Sequence, residues 1–296
     1  MDINLANLTA LRQTYTLAFQ EGLAVQPLVD ISFFVRTFPS ATAANFYAWV
    51  DRVAKFRQWL GPRNFENVRG NKFIVPNLEW EDSVSLTKQE IRDDQYGVYG
   101  PLTQMMGEAW TLLKYEWPLG VLTGNPLCFT GKNIFAVDHK YGDHTIANLV
   151  ADALSKTSFE AAFTAATGYY FSNGELCRTR WTHLVHGPAL HATAFGIVDA
   201  QFIAAAGVST PIDNPNYKRV TRVEVPDLGG AFANYWFLLD CSRPVKPVAL
   251  QVREEAAPLM DVRPEQVERS GQFDIMASGS LNASPTFPHL MYGGIL

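Results

Sequence analysis

Three of the six histidines crowd into one stretch, W-T-H-L-V-H-G-P-A-L-H, as His183, His186 and His191. With Asp138 upstream, these are the residue types of a metal-dependent hydrolase. Their spacing argues against it. Residues 181–185 read as a strand, where side chains three apart face opposite sides, and Gly187-Pro188 separates His186 from His191. Neither arrangement matches H-E-x-x-H on one helix face. Asp93 and Asp94 could form an acid–base or metal pair, but no third ligand or histidine lies near them in sequence, and capping of the following helix is the stronger reading. Asp240-Cys241-Ser242-Arg243 sets a thiol among polar groups without a histidine neighbour. Cys128, Cys177 and Cys241 are odd in number and form no C-x-x-C, so neither a zinc knuckle nor a disulfide framework is indicated. They read as small buried hydrophobes in a reducing compartment. There is no G-x-S-x-G and no phosphate-binding loop, and Gly229-Gly230 and Gly293-Gly294 read as turns. These residues indicate no catalytic residue, cofactor or metal. The histidine-cluster hydrolase stands as the reading from another class.

The elements that would position side chains are legible from periodicity. Leu5, Leu8, Leu11, Tyr15, Ala18 and Phe19 predict an amphipathic helix ending near Gly22, packed on its own domain or on a neighbour. Residues 31–35 predict a short strand. Residues 44–60 carry Phe46, Tyr47, Trp49, Val53, Phe56, Trp59 and Leu60, a density that means core or interface. Residues 73–75 and 78–86 read as β, the second with Leu78, Trp80, Val84 and Leu86 alternating against polar neighbours. Together they predict a long two-stranded excursion, which needs something to lie on because a lone hairpin is marginal in water. Leu102, Met105, Met106, Ala109, Leu112, Leu113 and Trp117 form the stripe of a helix lying on a core, kinked or ended by Pro118 and closed by Gly124-Asn125-Pro126.

Downstream, a capping box at Thr157 and Glu160 predicts a helix running to Asn173-Gly174. A small-residue helix is expected over 189–206. Strands are expected at 220–225, 236–239, 247–252 and 272–278, with 236–239 and 247–252 joined as a hairpin. The tail 282–296, broken by proline and paired glycine, is expected to drape on a surface.

At 296 residues and 47% hydrophobic, the chain can bury a sizeable core in one or two domains. A net charge of −5 with mixed signs argues against a dedicated nucleic-acid binder, which would show a basic stripe. The amino terminus lacks a signal-peptide pattern and no apolar run reaches spanning length, so a soluble, cytoplasm-made protein without a membrane partner is expected.

Five motifs in series, F-x-x-W-L-G-P-R, L-E-W-E-D-S-V, I-R-D-D-Q-Y-G-V-Y-G-P, C-F-T-G-K-N-I-F and W-F-L-L-D-C-S-R-P-V-K-P, resemble the major head subunit of Mu-like phages. The resemblance runs from about Phe46 to Gln251. It implies an α+β chain with the HK97-type capsid fold: an amino-terminal arm (1–50), an extended loop (51–90), a peripheral domain with a spine helix (91–145), an axial domain (146–235), and return strands with a tail (236–296). It implies self-assembly into hexamers and pentamers of an icosahedral tailed-phage head around double-stranded DNA, made in the host cytoplasm and residing in the virion. It implies a shell protein and not an enzyme, and an encapsulin-like shell is the alternative of the same class.

Under that reading the partners are other copies of the chain, a scaffold protein, a portal, a possible decoration protein, and DNA contacted non-specifically. The contact residues are Phe56, Arg57, Trp59, Arg63, Phe73 and Trp80 as aromatic and arginine anchors, with Glu79, Glu81, Asp93 and Asp94 as a charged set facing a neighbour's arginines. Lys72 and Asn282 are the types that cross-link in some relatives. No nearby base is identifiable, and no cross-link is expected.

Overall fold

The structure, a computed structural model, describes residues 4–50, 70–93, 99–203 and 211–296. The amino-terminal stripe folds as α1 (Leu5–Leu23), begun by Asn4, whose Oδ1 accepts from the Asn7 N–H at 2.8 Å. The next strand, β1 (Val35–Pro39), starts later than expected, because residues 31–34 form a turn that sinks Ile31 and Phe34 into the core. β2 (Ala44–Val50) and β3 (Gly70–Pro76) pair antiparallel as a ribbon, and β4 (Leu78–Thr87) leaves it at the Pro76-Asn77 corner. Then come α2 (Lys88–Asp93), the long α3 (Tyr99–Gly124), the small pair β5 (His139–Tyr141) and β6 (His144–Ile146), β7 (Leu149–Val150) and α4 (Lys156–Thr167). The remainder runs β8 (His183–His186), the single turn α5 (His191–Ala194), β9 (Phe202–Ile203), β10 (Ile212–Asp213), β11 (Thr221–Glu224), β12 (Trp236–Leu239), β13 (Val248–Met260), α6 (Pro264–Ser270), β14 (Gln272–Pro285) and β15 (Met291–Gly294).

Two sheets organise the chain. In the five-stranded sheet, ordered β11-β8-β12-β15-β7, both faces are covered. Strand β12 is therefore apolar at every position rather than alternating. Its period of two sends Trp236 and Leu238 to one face, against Phe159 and Ala162 of α4, and Phe237 and Leu239 to the other, against Leu119 and Leu122 of α3. The four-stranded sheet, ordered β1-β13-β14-β4, packs against α1 and the first half of α3 through Leu8, Phe19, Met106, Trp110, Leu250 and Phe273. Helix α3 thus spans both sheets and ties them into one body.

Several expectations change. Strand β3 pairs with β2, and β4 with β14 (Leu78 opposite Leu281, Thr87 opposite Gln272), so residues 73–75 and 78–86 are not each other's partners. Helix α3 does not end at Pro118, whose lost backbone bond is outweighed by burial of Pro118, Leu119 and Leu122, and it closes at Gly124 as expected. Helix α4 is capped two positions earlier than read: Ser155 Oγ accepts from the Ser158 N–H (3.1 Å) and Ser158 Oγ from the Ser155 N–H (2.9 Å). It stops at Gly168, short of the Asn173-Gly174 turn. The expected helix over 189–206 breaks into short turns ending at Asp199, because Asn214 Nδ2 donates to the carbonyls of Ile197 (3.0 Å) and Ala200 (2.8 Å). Strands β12 and β13 lie in different sheets, not in a hairpin.

The tail changes most. Strand β15 is fully buried in the five-stranded sheet between β12 and β7. Gly293 and Gly294 are strand residues rather than turns. A Cβ at Gly294 would sit 2.0 Å from the Trp236 indole, and one at Gly293 would sit 2.8 Å from the Phe135 ring.

Candidate functional site

The residue types that could do chemistry do not converge. His183 stacks on Phe33 with centroids 4.4 Å apart, and its Nδ1 lies 2.9 Å from Thr182 Oγ1. His186 is buried and donates Nδ1–H to the Gly187 carbonyl at 2.7 Å. His191 pairs with the Glu224 carboxylate, and Asp138 with Lys132 at 2.7 Å. Among the described residues no group of three histidine, cysteine or carboxylate side chains could hold a metal, so the hydrolase reading loses its cluster. Burial pushes the thiols of Cys177 and Cys241 up to about 12 and raises that of Cys128, leaving no thiolate nucleophile.

The surface features lie instead along the ribbon, β4 and α3. The base of the ribbon is clamped to the four-stranded sheet through Gln251, Asn77 and Ser40, which sequence reading passed over, with Tyr47, Trp117 and Asn282. Gln251, buried within β13, donates Nε2 to the Val75 carbonyl (3.0 Å) and Asn77 Oδ1 (2.7 Å), and accepts from the Tyr47 hydroxyl (3.1 Å). Asn77 donates to Ser40 Oγ at 2.8 Å and Thr42 O at 2.7 Å. Asn282 donates to Pro76 O at 2.7 Å and accepts from Trp117 Nε1 at 3.0 Å. The available signal was Gln251 as a lone polar residue in the apolar run V-A-L-Q-V. One ribbon face meets the body through Tyr47, Phe73 and Val75, with Tyr47 edge-on to Phe38 at 5.9 Å. The other presents Phe46 (65% exposed) opposite Ile74 (55%).

Of the expected contact residues, Phe56, Arg57, Trp59, Arg63 and Asp94 lie outside the described residues. Phe73 is half-buried on the inward face of the ribbon. Trp80 is also half-buried, edge-on to Trp117 at 4.7 Å and donating Nε1–H to Leu281 O at 3.2 Å. Glu79 and Glu81 are exposed on β4, an edge strand. Asp93 is exposed as the last residue of α2, so it does not cap the start of α3.

Helix α3 is rotated from the expected stripe. It buries Thr103, Met106, Gly107 and Trp110, while Met105 (61%) and Leu112 (47%) face solvent near Leu28 (84%). The cause is backbone contact: Gly107 meets α1 so closely that a Cβ there would lie 2.2 Å from Phe19 O, and Trp110 occupies the space beside Gly279. An apolar hollow of about 260 Å³ opens between Trp80, Trp110, Leu113 and Gly279, edged by Glu81, Asp82 and Glu116. Contiguous exposed apolar surface of this kind marks interaction faces. Among the described residues, no helix is long and apolar enough to cross a membrane.

Comparison with known proteins gives these features a context. Residues 8–153 match the family described as the Mu-like prophage major head subunit gpT. The Mu-like prophage FluMu major head subunit of Haemophilus influenzae is 25% identical over 255 residues, covering 84% of this chain and 60% of that protein. The chain therefore spans less than two thirds of that relative's length. Among solved structures, the procapsid of bacteriophage JBD30 aligns with 99% of this chain and 76% of its own at a TM-score of 0.59 and 23% identity. The virus-like particle from Pyrococcus furiosus aligns with 95% of this chain and 97% of its own at 0.53 and 12%. Both structural likenesses are likenesses of fold.

Proposed function

We propose that this chain, which belongs through residues 8–153 to the Mu-like major head subunit family and has the HK97-type capsid fold, is a major capsid protein. Copies assemble into hexamers and pentamers of an icosahedral tailed-phage head around double-stranded DNA, and the protein resides in the virion. The observation that carries the reading is the ribbon. Its two strands have no further sheet partner among the described residues, yet its base is clamped by Gln251 and its outer face is apolar. Such a projection gains stability by lying on another surface.

In this reading residues 51–90 form the extended loop, 1–50 the arm, 91–145 the peripheral domain, 146–235 the axial domain and 236–296 the return strands and tail. Phe56, Arg57, Trp59 and Arg63 anchor contacts between subunits, Phe73 and Trp80 add only the parts of their rings left exposed by the chain's own body, and Glu79, Glu81, Asp93 and Asp94 face a neighbour's arginines. Stable interfaces bury on the order of 1,600 Å², and a closed shell multiplies them. A scaffold, a portal and a decoration protein complete the assembly. Asn282, engaged by Pro76 and Trp117, fits a shell without covalent cross-links.

Negative-stain microscopy with light scattering on the full chain, alone and with a candidate scaffold, tests the proposal. Closed shells or rings of five and six are expected. A monomer or dimer in both preparations refutes it. The alignment with a virus-like particle over 95% of the chain favours one second reading, a shell around protein cargo. Particles that carry co-purifying protein and no nucleic acid would select it.

A further inference from the structure

The chain carries five more acidic than basic residues, yet one region reverses that balance. Segments 176–182 and 240–247 hold Arg178, Arg180, Arg243 and Lys246, with Asp240 as their one acid. Arg36 of β1 joins them, donating Nη1–H to the Pro244 carbonyl at 2.7 Å. The segments are stitched together. Arg243 Nη2 donates to the carbonyls of Cys177 and Arg178, the latter at 3.0 Å. The Arg180 N–H donates to Asp240 Oδ2 at 3.0 Å, and the Cys241 N–H to Thr182 Oγ1 at 2.9 Å. Lys246 Nζ donates to the Cys241 carbonyl at 2.6 Å. In sequence the charge looks mixed because the five cations come from three separated stretches.

The nature of their partners decides what the region can do. A carbonyl fixes the position of a cation without cancelling its charge. Among the described residues only Asp240, 3.5 Å from Arg243 Nε, neutralises any of it, and Asp240 is buried and already accepts from the Arg180 N–H and from the Ser242 N–H and hydroxyl. Arg178 and Arg180 are exposed, and among the described residues neither guanidinium has a hydrogen-bond or carboxylate partner. Arg178 sits at φ 51, in the left-handed region, where its carbonyl meets Arg243. Pre-positioned, uncompensated guanidinium groups suit oxyanions. A protein–protein contact would also need an apolar centre. Leu176 is the single large apolar side chain exposed on these segments.

We propose that this patch binds the phosphate backbone of nucleic acid without regard to sequence, with Arg178 and Arg180 as direct contacts and Arg36, Arg243 and Lys246 as held charges around them. The inference rests on the reading of the chain as a shell protein, since DNA is the polyanion such a shell encloses. The acidic balance of the rest of the chain keeps the attraction weak, in the non-specific range of about 10⁻⁴–10⁻⁶ M at physiological salt.

The test titrates a short fluorescent DNA duplex of mixed sequence with the full-length, unassembled chain at several NaCl concentrations. In Arg178→Gln/Arg180→Gln the logarithmic salt slope should flatten by about 1.8, or about 0.9 for each phosphate that is no longer neutralised. The pair Arg178→Lys/Arg180→Lys should keep the slope, which guards against a folding defect. The pair Lys140→Gln/Lys156→Gln removes the same charge elsewhere and should leave the slope unchanged. An equal fall in that control would mean net charge alone governs binding, and would overturn the proposal. Wild-type DNA binding in Arg178→Gln/Arg180→Gln together with failed shell assembly would overturn it too, assigning the patch to contacts between copies. Binding is read on the single chain and assembly by microscopy. Patch-dependent binding without shells would therefore sink only the capsid reading, and shells with an unchanged slope only this one.

Discussion

The crossing of α1 and α3 offers a test with a sign on each side. At Gly107 an added Cβ would lie 2.2 Å from Phe19 O and 3.0 Å from Leu23 N, all fixed backbone. Ordinary carbon–oxygen contact is roughly 3.3 Å or more, so Gly107→Ala must push the helices apart by about 1 Å at that point. A gap of that size forfeits about half the dispersion well of the facing atoms. Leu8, Tyr15 and Phe19 are buried at 0%, 3% and 0% exposure beneath α1. Taking each as worth about 2 kcal/mol, the loss is roughly 3 kcal/mol. The better helix propensity of alanine returns about 1 kcal/mol, leaving a destabilisation of about 2 kcal/mol. Gly120 lies in the same helix, and a Cβ there would meet nothing within 4 Å. Gly120→Ala should therefore stabilise by up to about 1 kcal/mol. Urea denaturation of the unassembled chain measures both. Limited proteolysis should also release the amino-terminal segment faster in Gly107→Ala. If Gly107→Ala is as stable as wild type, or shifts in the same direction as Gly120→Ala, the close crossing is wrong.

Acid should weaken the fold through buried histidines. Burial holds His139, His183 and His186 below the ordinary value, and His289 down to about 3. The folded chain keeps them neutral, so the unfolded chain takes up extra protons as pH falls through about 6.5. Melting temperature should be flat above that point and drop below it, and His289→Phe should shallow the drop. Gln251→Leu strands Asn77 and the Val75 carbonyl, and should destabilise by roughly 1–3 kcal/mol, with faster proteolysis between residues 44 and 76 as the readout. Ile74→Thr, on the exposed ribbon face, should leave the melt of the single chain within about 0.5 kcal/mol of wild type while reducing shell yield in microscopy. Glu81→Lys should likewise keep the fold and lower assembly. Unchanged shells in either variant would remove those residues from the contact.

Much of the element content was legible because it follows from local periodicity. The stripe from Leu5 to Phe19 reads as a helix and the run Trp236-Phe237-Leu238-Leu239 as a buried strand, and both form as read. The order of five motifs pointed to the fold. Local pattern cannot, however, say which strand a β segment meets. The residue facing Trp80 is Gly279, and the residue facing Val35 is Val248, and nothing in a neighbouring sequence window records such pairings.

The misread segments share that cause. Pro and Gly near the carboxy terminus look like a loose tail in sequence, but Gly294 is glycine because the Trp236 indole lies against the strand. Of the two outcomes open at Pro118, a kink or a stop, the buried residues beside it exclude the stop and carry the helix on to Gly124. The turn of α3 that faces solvent was set by Gly107 against α1, a contact between distant parts of the chain. The basic patch arose in the same way, from Arg36, Arg178, Arg180, Arg243 and Lys246 on three stretches that only loop packing brings side by side. Sequence by itself determined most of the helices and strands, since periodicity depends on neighbours a few residues apart, and its series of motifs carried the resemblance to a family. The tertiary structure decided strand partners, helix rotation and where charge gathers, since those depend on contacts across the whole chain.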